Sequence, residues 1–384
     1  MLDAIVGEVR KGRHCAAAGF VRMLCVRLPV DGAYCGLDVD IGLTLNTVGV
    51  DRRSGQRNGV IGVRAVMVTR FGGPEVLSVA QVLDPRAGPS EVVVTVSVAD
   101  VLFLDTQLRR GWGQEYFAVR PPYIPGGGVA GTVTQLGPGV DHGWRGRRVV
   151  APTPGGGYAE QAVAAGDSLV LVPDGLEMAE AAALLHDATT AFALLESTGV
   201  GPGEWVLILA ASGGLGILLV QLVRAAGARV IGATRGAAKL ELVRSCGAER
   251  VIDYSLPGWE EKVRAVTGGR GPEVVFDGVG GQLGQQAFEI IANGGRFSAH
   301  GAPSGSFTPV DPEQARRRGI TVRGIEQAQP NAQNRGRLIQ RALREAVAGR
   351  IKPIIGQTFP LEKAAEAHAA IEARTVVGKT LLVV

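Results

Sequence analysis

The chain is poor in cysteine, in aromatic side chains and in clustered charge of one sign. Its 384 residues hold four cysteines, Cys15, Cys25, Cys35 and Cys246. Their wide spacing matches neither the C-x-x-C pairs of structural metal sites nor a disulfide framework. Such usage points to a reducing compartment, the cytoplasm. The histidines His14, His142, His186, His300 and His368 are scattered, and none pairs with another at ligand spacing; no functional metal is expected. Lys and Arg number 40 against 36 Asp and Glu, a formal net charge of +4, and no basic run interleaves with aromatics. Nucleic-acid and membrane partners are therefore not indicated, and Arg316-Arg317-Arg318 reads as a solvated face. Long apolar runs are also missing. Arg22 and Arg27 interrupt those of the first 62 residues, which excludes a convincing signal peptide or spanning helix.

Glycine, by contrast, is abundant, with 56 residues. The segment 204–235 reads as strand, glycine turn, helix, strand. Its apolar run 205–209 has the length of a strand buried on both faces. Ser212-Gly213-Gly214-Leu215-Gly216 then breaks the run and lets the backbone approach a pyrophosphate. A helix over 213–226, apolar around most of its circumference, would aim its N-terminal N–H groups and dipole at that anion. Because a second strand follows at 229–234, the context is that of a dinucleotide fold rather than of an isolated glycine turn. The alternation continues with helices at 237–246, 259–266 and 282–291 and strands at 250–254, 273–277 and 296–300. That rhythm predicts a parallel sheet covered on both faces, with ligands beyond the carboxyl ends of its strands. An NAD-preferring fold places an Asp or Glu about 20 residues past the glycines to bind the ribose 2′-hydroxyl. Here the residues are Thr234 and Arg235, with Lys239 nearby. One hydroxyl and two cations favour a 2′-phosphate, hence NADPH.

At this point the chain resembles the medium-chain dehydrogenase/reductase superfamily, in its zinc-independent, zeta-crystallin-like quinone oxidoreductase branch. The match is carried by Val63-Arg64-Ala65-Val66-Met67 through Gly72-Gly73-Pro74-Glu75-Val76-Leu77, Pro125 to Val133, Gly157-Tyr158-Ala159-Glu160, the 210–216 turn, Val274 to Gly281, and Val377-Gly378-Lys379-Thr380. The resemblance implies an α/β protein: a GroES-like β-rich substrate domain over 63–188, a Rossmann domain with a doubly wound parallel sheet over 189–324, and a C-terminal segment, 325–384, completing the substrate domain. Residues 1–62 carry no family motif and are expected to be an extension, disordered or absent from the native protein. Carried over residue by residue, the 2′-phosphate contacts fall on Lys239 and Tyr254, the nicotinamide contacts near Thr190 and the Gly301-Ala302 loop, and a basic cofactor contact on Lys379. The resemblance also implies a homodimer, joined through the strand at 320–324.

Where the family's zinc enzymes carry their first Cys, this chain reads Ala99-Asp100-Val101-Leu102, and where they carry Gly-His-Glu it reads Gly126-Gly127-Gly128. Without a Lewis acid, the expected acceptors are quinones and conjugated enones, whose oxygen takes up charge easily. The pocket departs from the better-known quinone reductases. Leu102 replaces an asparagine before Phe103-Leu104-Asp105, and Gln107 replaces a tyrosine. Phe103, Gln107 and Tyr116 are the candidate substrate contacts, with Tyr116, in an aromatic loop opened by Trp112, as candidate proton donor. Asp105 and His186-Asp187 could handle protons, but capping or packing is the expectation for them. Two further readings stay open. One is an enoyl-thioester reductase of a biosynthetic pathway; the other, of a different class, is a non-enzymatic NADPH-binding structural or RNA-binding module resembling lens crystallins.

Overall fold

A computed structural model describes residues 62–328 and 330–384; the expectations for residues 1–61 lie outside the described part. The chain opens with an antiparallel ribbon, β1 (Gly62–Val68) and β2 (Leu77–Leu83). Next come β3 (Glu91–Val101), α1 (Phe103–Arg109), β4 (Gly128–Leu136), β5 (Arg148–Pro152), β6 (Gln161–Ala165) and β7 (Val170–Leu171). Two helices, α2 (Met178–Leu185) and α3 (Asp187–Thr198), meet at His186 and lead into the parallel units. Those units are β8 (Trp205–Leu209), α4 (Gly214–Ala225), β9 (Arg229–Thr234), α5 (Ala237–Ser245), β10 (Arg250–Asp253), α6 (Trp259–Val266), β11 (Val274–Asp277), α7 (Gly281–Ile290), β12 (Arg296–Ala299), α8 (Pro312–Arg317) and β13 (Thr321–Gly324). The chain closes with α9 (Ala332–Val347), β14 (Ile355–Pro360), α10 (Ala364–Glu372) and β15 (Lys379–Val383).

The six parallel strands run in the order β10-β9-β8-β11-β12-β13, the doubly wound dinucleotide arrangement. Every residue of β8 is buried, as a strand covered by helices on both faces requires. The order reverses between β8 and β11, and the carboxyl ends there open a crevice. The second sheet is mostly antiparallel, ordered β14-β15-β3-β4-β5-β7 with β6 also paired to β3. β15, more than 270 residues downstream of β3 in the chain, returns to lie beside it and sets Leu381 opposite Asp100 and Thr380 opposite Val101. That register brings Lys379, the first residue of β15, to the end of β3.

Under α1 the mostly antiparallel half of the molecule holds a small polar core. Asp105 accepts the Leu102 N–H at 2.9 Å, capping α1, and the Tyr158 hydroxyl at 3.0 Å; Tyr158 also lies 3.1 Å from His368 Nε2. Burial pushes the Asp105 carboxyl up to about 6. Burial, reinforced by the Arg109 charge, holds His368 down at about 3. In the unfolded chain a histidine titrates near 6.5. Neutral His368 thus supports the fold above pH ~6.5, and this support is withdrawn as pH falls from there toward 3, because only the unfolded state takes the proton. Between pH ~7 and ~5 the wild type is expected to lose about 2 kcal/mol more stability than His368→Gln, measured by urea unfolding. Equal losses in the two proteins would show that His368 is not held neutral.

Candidate functional site

The crevice between the two sheets is a cleft of about 490 Å³. Its floor is the turn after β8. Ala210 stands at φ 55, an uncommon conformation for a residue with a Cβ, and turns the chain sharply into α4. The helix can then start close to the strand because Gly216 has no side chain: a Cβ there would lie 2.4 Å from the Ala210 carbonyl oxygen. Ser212, Gly213, Gly214, Leu215 and Gly216 all line the cleft, with the amino end of α4 facing it. The C-terminal segment is tied to the same turn, since the Gly378 N–H donates to the Ser212 carbonyl at 2.7 Å.

At the end of β9 the Thr234 hydroxyl pairs with Ser212 Oγ at 2.7 Å, so it braces the turn. Arg235 stacks 5.6 Å over the Tyr254 ring, and Lys239 donates to the Arg374 carbonyl at 2.6 Å. Thr234, Arg235, Lys239, Tyr254 and Arg374 line the cleft together. Arg374 went unnoticed in the sequence because it arrives from the far end of the chain, just after α10, with φ 58. It lies over the Phe103 ring at 4.8 Å and donates to the Pro303 carbonyl at 2.7 Å. Among the described residues none of these three cations has a carboxylate at ion-pair distance. Burial, then the charges of Arg374 and Arg235, lower the Lys239 pKa, and burial lowers that of Arg374. Crowded cations without a counter-ion make an anion site.

The loops after β11 and β12 also border the cleft. Asp277 is buried and organises the first: its Oδ1 accepts the Val279 and Gly280 N–H groups at 2.9 Å each, and its Oδ2 accepts the Thr308 hydroxyl. Phe103 lines the cleft with Leu102, His300, Pro303 and Ser304. Four expected contacts are displaced. Gly301 packs on the Gly278 backbone, where a Cβ would come within 2.5 Å, and does not line the cleft. Thr190 sits one turn into α3, past the end that meets the cleft. Gln107 spends its amide on the Ala302 carbonyl at 2.9 Å, fastening α1 to the loop after β12. Tyr116 is 67% exposed and outside the lining. Trp112, by contrast, anchors its loop by donating to the Gly305 carbonyl at 3.0 Å.

Lys379 lines the cleft but does not stand there as a free cation. Its ammonium pairs with Asp100 and, at 3.3 Å, with Asp187, and Asp100 Oδ2 lies 2.6 Å from His186 Nδ1. Burial alone would depress the lysine, but Asp100 and Asp187 outweigh it and raise its pKa. Asp100 is pushed up by burial and pulled down further by Lys379 and His186, whereas burial keeps Asp187 raised. The stretches 99–102 and 126–128, where resembled zinc enzymes carry ligands, converge on His186: Asp100 binds its ring, and a Cβ at Gly128 would meet it at 2.6 Å. Among the described residues no three of His, Cys, Asp and Glu are grouped as a metal site. No described helix is long and apolar enough to cross a membrane.

Comparison with known proteins follows the same division. Residues 88–174 match the alcohol dehydrogenase GroES-like domain, and residues 214–341 match the zinc-binding dehydrogenase family. The chain is 31% identical over 332 residues to a 2-haloacrylate reductase of a Burkholderia species, covering 83% of this chain and 98% of that protein. It is 32% identical over 324 residues to the quinone oxidoreductase of Sus scrofa, covering 83% and 97%. Among solved structures, the Escherichia coli quinone oxidoreductase complexed with NADPH superposes with a TM-score of 0.78 at 27% identity, over 84% of this chain and all of that one. A mycobacterial protein complexed with NADPH does so with a TM-score of 0.77 at 31% identity, again over 84% of this chain and 100% of the other.

Proposed function

The chain belongs to the quinone oxidoreductase branch of the medium-chain dehydrogenase/reductase superfamily, and from that premise we propose that it carries hydride from NADPH to a quinone or conjugated enone without a catalytic metal. The observation that carries the reading is the cleft with a glycine turn at its floor and three cations on its lining that, among the described residues, have no carboxylate at ion-pair distance. The fit to the dinucleotide is physical. A side chain at Gly216 would fill the space in which strand and helix close on the turn, and the amino end of α4 supplies N–H donors to a pyrophosphate. Arg235, Lys239 and Arg374 would hold the 2′-phosphate, with Tyr254 beneath it. When bound, NADPH supplies the hydride. The protein's own part is to orient the acceptor against Phe103 and Leu102 and to keep water out.

An acceptor whose electrons can spread over a conjugated system needs no Lewis acid, and among the relatives the 2-haloacrylate reductase is named for such a substrate. Against the enoyl-thioester reading, the candidate proton donor Tyr116 is exposed. β13 ends the parallel sheet with Val322 exposed on it, and in our reading a second copy pairs along that edge in a homodimer.

The test is NADPH oxidation at about 340 nm in the presence of EDTA against benzoquinones, naphthoquinones, enones and enoyl thioesters, with NADH in parallel. Turnover confined to quinones and enones is the expected result. Turnover confined to enoyl thioesters, or lost with EDTA and restored by zinc, would overturn the proposal.

A further inference from the structure

Asp100, Lys379, Asp187 and His186 form a connected set of ionisable groups inside the protein, and hydride transfer as described leaves the set without a task. Asp100 is fully buried; one oxygen takes the Lys379 ammonium and the other His186 Nδ1, at 2.6 Å. Lys379, 4% exposed, also reaches Asp187. Two carboxyl groups, one ammonium and one imidazole thus share a single buried set. His186 is the set's open end, with its side chain 29% exposed. Nδ1 is committed to Asp100, so Nε2 is the free nitrogen, and among the described residues it carries no hydrogen bond. The ring packs against glycines: a Cβ at Gly128 would come within 2.6 Å of Cε1, whereas one at Gly127 would make only ordinary contact with Nε2, at 3.9 Å. His186 is not itself among the residues lining the cleft, but its neighbours are. Asp187 follows it, Val101 and Leu102 follow Asp100, and all three are cleft-lining.

We propose that His186 is the acid that protonates the reduced acceptor, with Asp100 as the positioning residue that fixes the ring through Nδ1. The inference rests on the hydride-transfer reading. Hydride brings the acceptor one hydrogen and two electrons, so the acceptor is reduced and the nicotinamide oxidised, and the displaced π pair settles on the acceptor oxygen. That oxygen takes the proton from Nε2: the N–H bond breaks, an O–H bond forms, and the electron pair stays on the now neutral imidazole. Water returns the proton to Nε2, so each turnover consumes one solvent proton. Asp100 from β3 holds the ring and Asp105 from α1 and Asp187, the next residue, interact with it electrostatically, while Lys379 from β15 is joined to it through Asp100 and Asp187. The arrangement is that of a histidine acid oriented by a buried carboxylate.

His186→Gln and Asp100→Asn, made in the full chain, test this. With an enone, whose enolate must be protonated, His186→Gln is expected to lower kcat about a hundredfold. With a naphthoquinone, whose hydroquinone anion persists in water, the loss is expected to stay under about tenfold. NADPH affinity, by fluorescence titration, should be unchanged. Asp100→Asn should lower kcat for the enone in the same direction without raising KM. A readout independent of turnover is carbethoxylation by diethyl pyrocarbonate, located by peptide mass spectrometry. Any carbethoxylation of His186 should be blocked by NADP⁺ with the hydroquinone, while that of the exposed His142 is not. Unchanged kcat in His186→Gln, an equal loss for both acceptors, or carbethoxylation of His186 undiminished by NADP⁺ with the hydroquinone would each overturn the inference. If the wild type itself turns over no quinone or enone, the hydride-transfer reading has failed instead.

Discussion

A Lys239→Ala, Arg374→Ala double variant is expected to bind NADPH about a thousandfold more weakly, from roughly 2 kcal/mol for each charge-assisted phosphate contact, while its affinity for NADH barely changes. The argument is one of location. Both cations line the cleft with Arg235 and Tyr254, and the Lys239 ammonium donates to the Arg374 carbonyl. Neither is neutralised by a carboxylate among the described residues, so their charge is available to an anion that NADH lacks. Arg374 also touches Phe103 and Pro303, so a parallel loss of NADH binding would mean that the double variant has disturbed the walls of the cleft, and the 2′-phosphate assignment would fall. Fluorescence titration with both nucleotides decides between these results.

Gly216→Ala is the second large effect. The added methyl carbon would lie 2.4 Å from the Ala210 carbonyl oxygen and 2.7 Å from the Ala211 Cα. Both are backbone atoms, so the conflict is relieved only by moving β8 and α4 apart. Overpacking of this kind costs about 1–3 kcal/mol, and the displaced turn would also lose its aim at the pyrophosphate. Affinity for NADPH and NADH should fall together, by about a hundredfold, with a lowered thermal midpoint. A variant that keeps wild-type affinity would show that the turn is not the phosphate cradle.

The parallel half of the molecule was legible in the sequence because its signals are local. Trp205–Leu209 and Arg229–Thr234 are observed at the expected residues, and the helix expected over 213–226 is Gly214–Ala225. Strands buried on both faces read as apolar runs, and glycines mark where each ends. What stayed hidden depends on contacts between residues far apart in the chain. Arg374 reaches the cleft only through the return of the C-terminal segment. Asp100 meets Lys379 only because β15 pairs with β3 in one register, and it meets His186 only where α2 gives way to α3 beside two glycines. Gln107 and Tyr116 sit in a plausible segment, yet one side chain is spent on the Ala302 carbonyl and the other points to solvent. Neither outcome has a periodic signature.

The most direct measurement of the central claim is a single-turnover experiment. EDTA-dialysed protein saturated with NADPH is mixed with a naphthoquinone in stopped flow, and nicotinamide absorbance is followed against NADPH deuterated at C4. The account predicts rapid oxidation of one equivalent of NADPH per cleft with a primary isotope effect. Tight NADPH binding without oxidation, or oxidation that appears only when zinc is restored, would contradict it.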